Sequence, residues 1–151
     1  MKTWLHKFRR SKGVSLIEFS VVAPVLLLIM FAVIEYSIMF AAMVLMNNAT
    51  AEGARQASLF QNGFTAEDYR ADAVAAMSAD LPEFIANFTS RVELAGVIEN
   101  CGGQTCLRLT ATYPDYANAP LIDGYVSALG LMPANLTAES YTRLTITSVG
   151  L

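Results

Sequence analysis

Two residues near the N-terminus, Gly13 and Glu18, are candidates for a chemical role. Gly13 directly follows a cluster of basic residues, and Glu18 lies five positions later in an otherwise apolar stretch. A charged group within a membrane span costs about 2.5–3.5 kcal/mol on insertion scales, which favours a carboxylate with a dedicated partner. If the chain is cut after Gly13, Val14 gains an α-amine that can pair with the Glu18 carboxylate of a neighbouring subunit. The alternative is that Glu18 only reaches the cytoplasmic interface.

Few other side chains in the sequence are candidates for catalysis or metal binding. The single histidine, His6, lies in the basic N-terminal stretch, and the densest acidic group is Glu67, Asp68 and Asp72. The spacing of these acids is more typical of a solvated helix face than of an acid–base pair. Since the sequence offers no base, activated nucleophile, phosphate-binding glycine loop or metal-ligand cluster, we expect no enzymatic activity, no cofactor and no metal.

Cys101 and Cys106 are the only cysteines, and they flank a turn that contains Gly102 and Gly103. Outside the cytoplasm, two cysteines five apart across such a turn most simply form one disulfide. A metal site is disfavoured because no histidine lies nearby, and the spacing is not that of a Cys-x-x-Cys redox motif.

The charge distribution indicates a membrane topology. Charged residues make up 15% of the chain and hydrophobic residues 54%, against about 25% charged in ordinary soluble domains. Five of the ten lysines and arginines lie in the first twelve residues, whereas the chain after Gly13 has five basic and thirteen acidic residues. This pattern predicts a cytoplasmic N-terminus. The net charge of −3 disfavours nucleic-acid binding, and the apolar content excludes disorder.

Residues 14–35 form the expected membrane span. As a helix they extend roughly 31 Å, which matches a hydrocarbon core of about 30 Å. Only Glu18 and Glu35 are charged in the apolar stretch 14–46, and they would lie near the two interfaces. A buried core helix and a cleaved secretory signal are alternatives. The apolar run is longer than an ordinary signal core of about 7–15 residues and ends without a clear small-residue cleavage site.

The motif RRSKGVSLIEF at residues 9–19 resembles the type III signal of type IV pilin-like proteins, with a basic leader, a glycine, a short apolar stretch and a glutamate before a long apolar helix. The Glu-Phe pair in this motif, Pro24 and the Glu-Gly-Ala-Arg segment at 52–55 are similar, more narrowly, to the TadE-like pseudopilins of tight-adherence (Flp) pilus systems. The resemblance covers residues 9–55, roughly a third of the chain.

This resemblance implies that a prepilin peptidase cuts the Gly13–Val14 bond, and that Glu18 and Phe19 belong to what the peptidase and the assembly recognise. It implies a minor pilin or pseudopilin in the bacterial inner membrane, possessing an extracytoplasmic C-terminal domain and acting in pilus biogenesis. The implied partners are the prepilin peptidase, other pilins and pseudopilins including a TadF-like protein, the inner-membrane assembly platform and the lipid bilayer.

Two other functions fit the same sequence. One is an uncleaved, single-pass membrane-anchored binding or scaffolding module, in which Glu18 would tolerate replacement by leucine. The other is a pseudopilin of a type II secretion system or a conventional type IV system, which would use the same junction. The Glu-Phe pair, Pro24 and the Gly-Ala-Arg motif favour the TadE-like interpretation over this last one.

Five residues along the helix are candidates for assembly contacts: Glu18, Pro24, Glu35, Glu52 and Arg55. Proline in a membrane helix is tolerated, so Pro24 marks either a bend for subunit packing or an ordinary transmembrane proline. Glu52 and Arg55 are three apart and can pair on the helix surface. The family resemblance makes this pair a contact site, and the alternative is a solvated helix end.

We expect an α+β protein in three parts: a basic leader at 1–13, a transmembrane and stalk helix at 14–58, and an extracytoplasmic domain at 59–151. A second helix should begin near Ala66, capped by Thr65, and bury Tyr69, Ala73, Ala76 and Met77. The domain should also contain a third helix at 82–88 burying Phe84, Ile85 and Phe88, strands near 92–94, 107–113 and 141–149, and a helical turn within 121–129.

Overall fold

The computed structural model describes residues 7–59, 63–82 and 87–144. One very long helix is followed by a small α+β domain, as the sequence predicts. The described elements are the helices α1 (Lys7–Ala57), α2 (Ala66–Asp80), α3 (Phe88–Arg91) and α4 (Tyr125–Ala128), and the strands β1 (Glu93–Cys101), β2 (Gln104–Tyr113) and β3 (Leu136–Arg143).

The N-terminal half of α1 projects from the domain with its apolar side chains uncovered. Every Leu, Ile, Val and Phe between positions 16 and 34 is at least 40% exposed. The helix continues through Pro24 without a break in its secondary structure. This helix has the length and composition to cross a membrane, as predicted for residues 14–35.

The C-terminal half of α1 is packed onto the domain along one stripe. The buried stripe residues recur every three or four positions, which is the spacing of one helix face. This face contacts α2, β2 and β3. The stripe consists of Glu35, Met39, Ala42, Met46, Ala49, Gly53 and Ala57.

Helix α2 begins where the sequence predicts. The Thr65 side chain accepts a hydrogen bond from the Asp68 backbone N–H, and the Asp68 carboxylate accepts one from the Thr65 backbone N–H at 2.7 Å. This reciprocal pair is a capping box, which satisfies two amides that a helix start leaves unpaired. The buried residues of α2 are Tyr69, Ala73 and Met77, while Ala76 is half-buried.

The three strands form one antiparallel sheet in the order β1-β2-β3. In β2, Leu107, Leu109, Ala111 and Tyr113 are buried, whereas the residues between them are half-buried, which confirms the predicted alternation. At the end of β2, the ring of Tyr113 packs against the rings of Phe88 and Tyr116, with centroids 6.2 and 5.3 Å away, respectively. The sheet thus has one covered face, against α1 and α2, and an outer face without a covering layer among the described elements.

A two-residue turn connects β1 and β2. Cys101 pairs with Gln104 in the ladder, so Gly102 and Gly103 form the turn, with φ of +65° and +88°. Both values lie in the left-handed region that favours glycine, and they are typical of a type I′ hairpin. The Gly103 N–H also donates to the Asn100 side chain at 2.8 Å. The predicted hairpin tip is confirmed.

Two predicted elements need correction. The third strand begins at Leu136 rather than Tyr141, because residues 136–143 pair with residues 106–113 of β2. Residues 145–149 of the prediction lie outside the described part. The third helix was predicted at 82–88, but the described helix α3 starts at Phe88, and Asn87 before it has a left-handed φ of +69°. Phe88 is buried as predicted, whereas Phe84 and Ile85 lie outside the described residues.

Candidate assembly and membrane interface

The predicted processing site lies inside α1. Gly13, Val14, Glu18 and Phe19 are all helical, and residues 7–13 continue the same helix. Glu18 is exposed, and within the described residues its carboxylate has no hydrogen-bond or ion-pair partner. Phe19 is 69% exposed. The head of the helix therefore presents an unpaired carboxylate beside an open apolar surface, which leaves it available to a second molecule.

Glu35 is placed differently from Glu18, although both interrupt the same apolar run. Its side chain is buried, and its Oε2 accepts hydrogen bonds from the backbone N–H of Val126 at 2.9 Å and of Ser127 at 3.2 Å. Its second oxygen, Oε1, is buried without a hydrogen-bond partner in the described part of the chain. Glu35 therefore joins α1 to α4 within one chain, and its carboxylate is not open to contacts between subunits.

Gly124 makes room for this carboxylate. A Cβ built on Gly124 would lie 1.9 Å from Glu35 Oε1 and 2.1 Å from Cδ, far inside van der Waals contact. The adjacent Ser127 hydroxyl accepts from the Gly124 N–H at 3.0 Å and donates to the Gly124 carbonyl at 2.8 Å, which closes the turn around the glycine. A side chain at position 124 would therefore displace the Glu35 carboxylate from its place beside α4.

The Glu-Gly-Ala-Arg segment at the end of α1 has an inner and an outer side. On the outer side, Arg55 Nε donates to Glu52 Oε2 at 2.7 Å, and Arg55 also contacts Glu52 Oε1, which confirms the predicted pair. The Arg55 side chain is 61% exposed and that of Glu52 is 33% exposed. The pair stands at the surface, where exposed ion pairs contribute little to stability.

On the inner side, Gly53 lets α1 approach α2 and the sheet closely. A Cβ at this position would lie 2.6 Å from Met77 Cγ, 2.9 Å from the Ala73 carbonyl oxygen and 3.0 Å from Leu109 Cδ1. The sequence marked Gly53 only as part of a motif that resembles a family. The structure supplies the physical reason, which is three-way contact between α1, α2 and β2.

The two cysteines face each other across the hairpin as free thiols, so the predicted disulfide is not formed in this structure. Cys101 lies one diagonal step from Cys106 on the same face of the sheet. A hydrogen bond with Cys106, followed by burial, raises the pKa of the Cys101 thiol to about 11. The thiols are in contact, and the disulfide remains a prediction for an oxidising compartment.

Sequence reasoning missed the roles of Gly124 and Gly53. The position of Glu35 in the sequence did indicate that it has a partner, because a carboxylate in an apolar run is expected to have one. Nothing local to Gly124 indicates which partner that is, because 89 positions separate the two residues. Among the described residues no group of three or more histidine, cysteine, aspartate or glutamate side chains is placed to hold a metal ion.

The N-terminal part of the chain matches the model of a known protein family. The family model described as TadE-like protein matches residues 13–55, from the glycine of the predicted cut to the arginine of the Gly-Ala-Arg motif. No curated protein and no solved structure shows significant similarity to the chain. The match confirms the predicted resemblance to the TadE-like family over residues 13–55, and it supports a protein associated with tight-adherence pili.

Proposed function

We propose that this protein is a TadE-like minor pilin or pseudopilin acting in the biogenesis of a tight-adherence pilus. A prepilin peptidase removes residues 1–13, the helix from Val14 holds the protein in the bacterial inner membrane, and the C-terminal domain lies outside the cytoplasm. The protein packs through α1 against other pilins or pseudopilins, including a TadF-like partner, and against the assembly platform.

The observation that carries this proposal is the division of α1 into two halves. From Leu16 to Ile34 the large apolar side chains are exposed, whereas from Glu35 onward one face is buried in the domain. Burying one large apolar side chain is worth about 1.5–3 kcal/mol, so the uncovered half needs an apolar environment of its own. A bilayer provides that environment before assembly, and the helices of neighbouring subunits provide it afterwards.

The charge of Glu18 supports the same proposal. Within the described residues it has no partner, and it lies one helical turn beyond Val14, on which a cut after Gly13 would create a free amine. In an assembled bundle the new amine of one subunit neutralises the Glu18 carboxylate of the next. A single-pass anchor that is never cut would have no such use for Glu18.

Two substitutions at the helix head test the proposal in the pilus-forming host. Gly13→Leu should retain residues 1–13 and abolish piliation, because the peptidase site is blocked. Glu18→Gln should lose piliation through loss of the charge, whereas Ser20→Leu, on the same exposed half of the helix, should assemble normally. If Gly13→Leu and Glu18→Gln both support normal pili, the protein is an uncleaved membrane-anchored module, and the proposal fails.

A further inference from the structure

We propose that the loop around α4, residues 120–133, is a second membrane contact that seats the domain on the outer surface of the bilayer. This inference rests on the proposed membrane anchor, because it places the loop relative to the span of α1. Its partner is the apolar part of the lipid interface. The loop brings leucines to the level at which α1 leaves the membrane.

The height of the loop is fixed by two contacts with α1. The Glu35 carboxylate accepts from the Val126 and Ser127 amides, and the Tyr36 hydroxyl donates to the Leu131 carbonyl at 3.2 Å. Long side chains on a helix tilt toward its N-terminus, which here is toward the membrane. Both contact points therefore lie slightly below residues 35 and 36, at the outer end of the expected span.

The packing of the domain extends below these contacts. Ala32, one turn before Tyr36, is half-buried and packs against the hydrophobic core. From Leu16 to Ile34 the helix rises about 27 Å, so the outer boundary of a hydrocarbon core of about 30 Å falls close to Glu35. The part of the domain that covers Ala32 cannot avoid the lipid interface.

The loop exposes apolar side chains at this height. Leu129 and Leu131 are 63% and 62% exposed, and Ile122 is 42% exposed. Leu129 lies between two points fixed to α1, being two residues from Ser127 and two from Leu131, so it lies within about 7 Å along the backbone from each. These exposed side chains thus lie on a loop that is fixed to α1 at residues 35 and 36.

The charge of the loop indicates whether its contact with lipid is electrostatic or apolar. Asp123 is its only charged residue, and the loop has no lysine or arginine. An electrostatic attraction to anionic headgroups needs basic residues, so the contact depends on the buried apolar area instead. Shallow insertion of the leucines, with Asp123 kept in the headgroup water, satisfies both groups.

Tryptophan reporters in the full chain test this inference in phosphatidylcholine vesicles. On a Trp4→Phe background, Leu131→Trp and Leu129→Trp place the reporter on the loop. Phe31→Trp places it in the expected span, and Leu59→Trp places it past the far end of α1. Position 59 is a matched control because Leu59 is 45% exposed but lies more than about 30 Å along the helix from Tyr36. The quenchers are lipids with a nitroxide either near the headgroup or deep in the acyl chain.

The inference predicts that reporters at 129 and 131 lose most of their emission to the shallow quencher, while the reporter at 59 keeps its emission. If position 31 is quenched but 129 and 131 behave like 59, the loop does not touch lipid and the inference is overturned while the anchor stands. If position 31 is not quenched either, the anchor itself is wrong. The emission at 129 and 131 could instead change with the number of protein molecules per vesicle and not with the lipid quencher. In that case the loop contacts a second copy of the chain, and the inference is also overturned.

Discussion

The Glu35 carboxylate occupies the space in which a side chain at position 124 would lie. Only 1.9 Å separates Glu35 Oε1 from the position of a Cβ on Gly124, and the same carboxylate holds the amides of Val126 and Ser127. This contact ties the last turn of the expected membrane span to the domain.

Gly124→Ala should destabilise the domain by about 1–3 kcal/mol, because the buried Glu35 carboxylate must move away from the Val126 and Ser127 amides to make room. Chemical unfolding of the full chain in detergent, followed by tyrosine fluorescence, measures this loss. Because the clash is with Glu35, the loss should be smaller when Gly124→Ala is made in a Glu35→Ala background. Equal losses in the two backgrounds would contradict the assigned contact.

Gly53→Ala provides a test in which two effects have opposite signs. Helix propensity alone would stabilise an alanine over a glycine by about 1 kcal/mol. The close approach of Met77 and the Ala73 carbonyl predicts a net loss of about 1–3 kcal/mol instead. Ala51→Gly, at an exposed position of the same helix, is the control and should show only the propensity cost. A stabilised Gly53→Ala variant would mean that α1 and α2 are less tightly packed than described.

The start of α2 should depend on pH through Asp68. Hydrogen bonds from the Thr65 hydroxyl and backbone N–H lower the pKa of Asp68 below its ordinary value. Its contribution is therefore fully present above the unfolded pKa, about 3.9, and is lost as the pH falls through the lower folded value. Hydrogen exchange at the first amides of α2 should accelerate, relative to the intrinsic rates, only as the pH falls below about 3.9. In Asp68→Ala this pH-dependent loss should vanish, and its persistence would assign the effect to another group.

Reduced Cys101 should react slowly with alkylating reagents at neutral pH. The thiolate is the reactive form, and the raised pKa keeps Cys101 protonated. Cys106→Ala removes the hydrogen bond that is the main cause of the shift, so Cys101 should be alkylated faster in that variant. An unchanged rate would show that the two thiols are not coupled.

Protein isolated from the host envelope should carry the predicted disulfide between Cys101 and Cys106. Its intact mass under non-reducing conditions should be lower by two hydrogens than after reduction, and Cys106→Ala should show no such difference. Because the closed loop is small, reduction should have a modest effect on stability, at the low end of the few kcal/mol typical of disulfides. Two alkylatable thiols in freshly isolated, unreduced protein would contradict the pairing.

The sequence predicts the elements whose signals are local. The uninterrupted apolar run defines α1, Thr65 followed by Asp68 defines the start of α2, and strict alternation defines β2. The start of β3 was missed because Ala138, Glu139 and Ser140 have low strand propensity. Pairing with β2 overrides that propensity, as tertiary context commonly does in sheets.

The candidate site was only partly predictable for the same reason. The Glu52–Arg55 pair follows from helical spacing, and the place of Glu18 in the apolar run marks it as a carboxylate that needs a partner. The burial of Glu35 depends on a loop far along the chain, and no periodicity links Glu35 to Gly124. Long-range contacts of this kind set which carboxylate of α1 remains free for assembly.

The intact mass of the protein extracted from membranes, with and without the prepilin peptidase of the host, decides whether the chain is processed like a pilin. A pilin-like chain should start at Val14 when the peptidase is present and keep residues 1–13 when it is absent. An uncut chain in both samples would contradict the pilin-like account in favour of a plain membrane anchor. A cut after the apolar run would instead identify the helix as a secretory signal.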